Sequence, residues 1–181
     1  MRQLIGTSWV AVALWGMITS LAVAEPPKRV GPNGFLLWES PREVSEISFE
    51  AGDGTPLTLT TFGGKLILLN IWATWCGPCI NQRPHVLELA RKYEANSNFE
   101  VLLISVDSSI DNWLNFLEKE KDYSGINLFI ENGMRSSFGN DYNIKAIPRY
   151  ILIDKNGKIL SADITEPSKS IELLIDAELK N

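Results

Sequence analysis

One stretch constrains this chain more than any other: Trp72-Ala73-Thr74-Trp75-Cys76-Gly77-Pro78-Cys79. Before it, Leu66 to Ile71 is apolar except for Asn70, as a strand buried on both faces should be. After it, Ile80 to Tyr93 reads as a helix. Pro84 interrupts that helix, because proline removes a backbone donor, and predicts a kink. A C-x-x-C at a strand-to-helix turn puts both sulfurs in the first helical turn, where small adjustments bridge them. The first amides of a helix are unpaired and its dipole is positive there, so a thiolate on Cys76 is favoured.

Cys76 and Cys79 are the only cysteines, and His85 is the only histidine. Two plainer readings compete with a redox dithiol. A structural disulfide across so short a loop would restrict the unfolded chain little. A tetrahedral zinc site would need more ligands than two cysteines and one histidine supply. No metal and no cofactor is expected.

The chain has 181 residues, enough for one domain with a sizeable core. Its net charge of −5 argues against a nucleic-acid partner. Residues 1–24 read as an export signal. Arg2 precedes an apolar run from Trp9 to Ile18, and Ala22-Val23-Ala24 is a small-x-small cleavage pattern. An uncleaved anchor is the alternative, and only then would the chain contact a membrane. Outside the cytoplasm a disulfide persists, and a dithiol kept reduced needs a dedicated electron source.

Residues 25–46, with Pro26, Pro27, Gly31, Pro32 and Gly34, read as a linker or irregular arm. Phe35 to Trp38 is expected to pack on the domain edge. Residues 47–181 form the domain. Ile47 to Phe49 and Leu57 to Leu59 flank Gly52-Asp53-Gly54, a hairpin pattern. Val101 to Val106 is a second buried strand. Ser108 and Asp111 read as an N-cap and its partner. Ile110, Trp113, Leu114 and Leu117 then follow at helical spacing, a core stripe rather than a binding face. Asn127 to Ile130 reads as a strand and Gly133 to Phe138 as a short helix or turn. Tyr150 to Ile153 and Lys158 to Leu160 are joined through Asp154-Lys155-Asn156-Gly157, where Asn-Gly is a hairpin signal. A last helix runs from about Pro167 to Leu179. The order predicts an α/β fold: a central mixed sheet flanked by helices on both faces. It carries an N-terminal β-hairpin and an extra βα insertion in the middle. In such sheets sites lie beyond the carboxyl ends of strands, where Cys76 falls.

From Ile47 onward the chain resembles thioredoxin-fold proteins, more narrowly the TlpA-like, ResA-like and DsbE-like thiol-disulfide oxidoreductases. Asn70 to Cys79, Pro84, and Ala146-Ile147-Pro148 through Gly157 carry the resemblance. It implies that Cys76 is the exposed attacking thiol and Cys79 the resolving thiol of one redox-active disulfide. It makes Pro148 a cis-proline facing the dithiol. Ile147 then pairs its backbone with a substrate peptide, and Trp75, Gly77 and Pro78 complete the binding surface. The implied partners are an exported protein disulfide as substrate and a DsbD-type membrane thiol transporter as electron donor. The implied place is the periplasm, in cytochrome c or cytochrome oxidase maturation.

Two family features are missing. The resemblance leads one to expect a carboxylate at Asn70 or at Gln82 to take the proton of the resolving thiol. An amide cannot take a proton at neutral pH, which leaves water, Asp107 or another acid. Gly77-Pro78 matches thioredoxin, whose potential is about −270 mV against about −120 mV for DsbA-type oxidants, and so favours a reductant. The alternatives are an oxidant of exported proteins and a non-catalytic module holding copper through its thiolates. A peroxiredoxin-type site does not fit, since Ala73 and Leu69 stand where its Thr and Pro would. His85 reads as a surface residue, and Arg149 as a solvated strand residue or a cation near Cys76.

Overall fold

A computed structural model of the chain describes residues 29–30, 36–37, 47–120, 122 and 124–180. The predicted export signal and most of the predicted arm lie outside these residues. Two backbone segments of the arm are described, β1 (Arg29–Val30) and β2 (Leu36–Leu37), paired antiparallel. The backbone of β2 lies beside β9, defined below. Among the described residues no helix is long and apolar enough to cross a membrane.

The domain proper opens with β3 (Ser48–Ala51) and β4 (Pro56–Thr58), the expected hairpin. Gly54 completes the turn at φ 82°, a conformation that favours glycine. The apolar run then forms β5 (Leu66–Trp72), and all seven of its residues are buried. Helix α1 (Gly77–Tyr93) follows without a break at Pro84. The expected interruption is therefore absent, and Pro84 costs the helix one hydrogen bond rather than its continuity. Next come β6 (Phe99–Ser105), α2 (Ile110–Leu117) and β7 (Ile126–Phe129). A 3-10 turn (Gly133–Arg135) leads to α3 (Ser137–Asp141). The chain closes with β8 (Arg149–Ile153), β9 (Ile159–Ile164) and α4 (Lys169–Glu178).

Seven strands make one mixed sheet in the order β4-β3-β7-β6-β5-β8-β9. The pairs β5–β6 and β6–β7 are parallel, and the outer pairs are antiparallel. The register assigns the helices to faces. Trp72, Phe99 and Phe129 share one face through the pairs Leu66↔Phe99, Trp72↔Ser105 and Ser105↔Phe129. Their rings meet Phe116, Tyr93 and Trp113, so α1 and α2 cover that face. Both crossovers step the same way across the sheet, and right-handed connections then land together. Tyr93 on α1 donates to Asp176 on α4 at 2.6 Å, which places α4 beside α1. Phe49 points to the opposite face and packs edge-on against Phe138 of α3 at 5.3 Å. Helices thus flank both faces, unequally. The expected middle insertion is β7 with its helices, standing between β6 and β3.

One local expectation changes and another holds. The residue capping α2 is Ser109, not Ser108, and its side chain makes no capping bond. The β8–β9 hairpin turns through Asp154 to Gly157, as expected. Gly157 N–H donates to Asp154 C=O at 3.0 Å, and Asp154 Oδ1 accepts from the amides of Asn156 and Lys158, both at 2.8 Å. In this loop only Gly157, at φ 81°, is left-handed, and the aspartate closes it.

Candidate active site

The site lies at the carboxyl end of β5. Cys76 is the N-cap of α1, and its Sγ accepts from Cys79 N–H at 3.2 Å. Pro78 sits in the first turn, where a missing donor costs nothing. The two sulfurs form a disulfide, with Cα atoms 5.2 Å apart. Cys76 is only 4% exposed in this form and Cys79 5%. The expectation of an exposed Cys76 does not hold for the disulfide: the side chain that projects is Trp75, 61% exposed. Gly77 and Pro78 are also exposed.

The loop ahead of Cys76 is held by a carboxylate. Asp107, two residues past β6, is fully buried. It accepts from Thr74 N–H at 3.0 Å, from Thr74 Oγ1 at 2.7 Å and from Ser105 Oγ at 2.7 Å. Its own N–H donates to Ser105 Oγ at 3.1 Å. Cys76 N–H then donates to Ala73 C=O at 3.1 Å. The sequence offers Asp107 as one acid that could take the Cys79 proton. In the disulfide form its oxygens accept from the loop and from Ser105, because buried donors need acceptors.

The Ile147–Pro148 bond is cis. Strand β8 begins at the next residue and pairs Arg149 with Ile71, so one further step sets Pro148 opposite Trp72. Ile147 and Pro148, both half-buried, thereby stand at the same sheet end as the disulfide. Arg149 is neither solvated nor turned to the cysteines. Its side chain is 16% exposed, pairs with Asp163 at 2.7 Å and donates to Ala162 C=O. His85 is exposed, as expected.

The two amides have distinct surroundings. Asn70 is buried in β5, opposite Tyr150 of β8. Gln82 accepts from Tyr150 Oη at 2.9 Å and donates to Thr165 C=O at 3.1 Å. It ties α1 to the sheet edge. Burial pushes the Tyr150 phenol well above its ordinary pKa, so it stays a donor at neutral pH. Reading the sequence overlooked Arg83, which is buried one turn after Cys79. The available signal was a cation on the helix face that carries Cys79, Val86 and Ala90.

Known proteins are similar to this chain in sequence and fold. The Redoxin family model matches residues 41–173. A thiol-disulfide oxidoreductase, ResA, of Bacillus cereus is 31% identical over 149 residues, covering 77% of this chain and 83% of its own. The thioredoxin-like protein YneN of Bacillus subtilis is 24% identical over 146 residues, 76% of this chain and 79% of its own. A solved thiol-disulfide oxidoreductase from Bacteroides fragilis superposes with a TM-score of 0.65 at 28% identity, covering 74% of this chain and 98% of that one. The helix-capping cysteine pair and these relatives point the same way: the chain belongs to the Redoxin family, as a thiol-disulfide oxidoreductase of thioredoxin-like fold.

Proposed function

We propose that this oxidoreductase is exported and reduces disulfides of partner proteins, with Cys76 attacking and Cys79 resolving. The observation that carries the reading is the position of Cys76 as N-cap of a 17-residue helix. Free amides and the positive end of the dipole favour a thiolate there, and the thiolate is the nucleophile. The Cys76 thiolate attacks one sulfur of the partner disulfide and releases the other as a thiolate. Cys79, losing its proton, attacks Cys76 Sγ and expels the partner's second thiolate. The partner gains two electrons and two protons, and the pair becomes a disulfide. A membrane thiol transporter of the DsbD type restores the dithiol.

Trp75, Gly77 and Pro78 form the docking surface, and Ile147 at the cis-proline offers its backbone to an extended peptide. The Gly77-Pro78 pair supports the reducing direction. Residues 1–24 direct export into the periplasm, residues 25–46 form the arm, and 47–181 are the working domain. Cytochrome c or oxidase maturation is the setting that the family resemblance suggests.

The test is reduction of a model protein disulfide such as insulin, with Cys79→Ser tested for a trapped mixed disulfide. The expected potential against glutathione is close to thioredoxin's, about −270 mV. A protein that reduces no protein disulfide refutes the reading, and a potential near about −120 mV makes it an oxidant.

A further inference from the structure

Arg83 is a buried cation that the chemistry above does not use. It is 5% exposed. Its Nε donates to Glu120, just past α2. Both terminal nitrogens are buried without a hydrogen-bond partner among the described residues. The guanidinium lies over Trp72, 4.6 Å from the ring centroid, and over Phe116 at 5.4 Å. Trp72 Nε1 is likewise buried without a partner among those residues. Three buried donors, two on Arg83 and one on Trp72, are thus unpaired among the described residues.

Arg83 follows Cys79 by four residues on the same helix. Residues four apart on a helix are neighbours, and both Cys79 and Arg83 are on the buried face of α1. Long helical side chains lean back toward the helix start, and the stacking on Trp72, the last residue of β5, follows that direction. Buried donors left unpaired cost free energy, and a charged group more so. When the disulfide is reduced, an anion can form one helical turn away: the Cys79 thiolate.

We infer that Arg83 supports the resolving step by stabilising the thiolate of Cys79, in place of the carboxylate base that Asn70 and Gln82 do not provide. It rests on the resolving role proposed for Cys79. Arg83 moves no proton itself. It lowers the cost of the charge, so that the proton can leave to water. The other titratable groups around the pair are Cys76 at the helix start, Asp107 after β6, Tyr150 on β8, and Glu120 and Asp122 after α2. Asp122 pairs with Arg91 and feels Arg83 more weakly.

The experiment titrates the Cys79 thiol by its ultraviolet thiolate absorbance in the purified chain carrying Cys76→Ser, so that one thiol remains and no partner is needed. Adding Arg83→Met is expected to raise the midpoint by about one pH unit, the low end for removal of an opposite charge within reach. Arg83→Lys keeps the charge and returns most of the shift. Glu120→Gln unmasks the guanidinium and moves the midpoint down. A folded Arg83→Met protein with an unmoved midpoint overturns the inference. If Arg83→Met does not fold, an unmoved midpoint in Glu120→Gln overturns it. Neither result bears on whether the protein reduces partner disulfides, which the insulin assay decides separately.

Discussion

Asp107 shows how a single residue organises the approach to Cys76. Three donors converge on its buried carboxylate, two from Thr74 and one from Ser105. Asp107→Asn puts an N–H₂ group among donors, so at least one hydrogen bond is lost and two donors oppose each other. The expected loss of stability is about 1–3 kcal/mol, read from urea unfolding, with slower reduction of insulin. A variant as stable as the parent would show that the carboxylate is not needed to hold the loop. Asp107 was visible in the sequence as an acid near the site. Its partners were not, because Thr74 lies 33 residues away and meets it only across the β5–β6 pair. Gln82 is a similar case. Its position invited a comparison with a missing base, while the fold uses both ends of its amide to join Tyr150 and Thr165.

At the scale of elements, the turn after β7 presses on the strand end that carries Asp107. Gly133 has φ 51°, and a Cβ built there would sit 2.5 Å from Val106 C=O. Backbone cannot yield as a flexible side chain can. Gly133→Ala is therefore expected to cost about 1–3 kcal/mol and to slow thiol exchange by shifting Val106 and its neighbour Asp107. Denaturant titration together with the insulin assay checks both effects. The α1–α4 contact makes a second prediction. Glu172 accepts from Lys169 at 2.9 Å and from Lys92 at 3.0 Å, and these bonds, Lys169's first, hold its carboxyl below the usual range. A depressed folded pKa contributes stability above the unfolded value of about 4.3 and loses it as pH falls through the lower folded value. Glu172→Gln should flatten that acid limb by a small amount, since the pair is solvent-exposed. Acid unfolding monitored by circular dichroism reads the difference, and parallel curves for the two proteins would count against it.

For the whole molecule, redox state and stability are linked. A dithiol that gives up electrons readily belongs to a protein whose disulfide form is the more stable; in a strong oxidant the reduced form is favoured. The oxidised protein is thus expected to melt above the reduced one. A higher melting temperature for the reduced form would assign the opposite direction of electron flow. The architecture places this chemistry at one end of the sheet. Strand β5 leads into the disulfide loop, Asp107 lies two residues past the end of β6, and β8 begins just after the cis-proline.

Local patterns carried most of the fold and half of the site. The run Leu66 to Ile71, the C-x-x-C, the stripe of α2 and the two hairpins are all short-range signals, set by side-chain period and turn chemistry. They were enough for the mixed sheet, the order of its elements and the redox pair. What the tertiary structure alone decided depends on which distant groups share a buried space. Asp107 became a brace for Thr74, Arg149 turned to Asp163, and Gln82 joined Tyr150, because buried polar groups must find partners wherever the packing brings them. The same packing buried Arg83 one turn after Cys79 with two guanidinium nitrogens unpaired among the described residues, and no pattern along the chain encodes that.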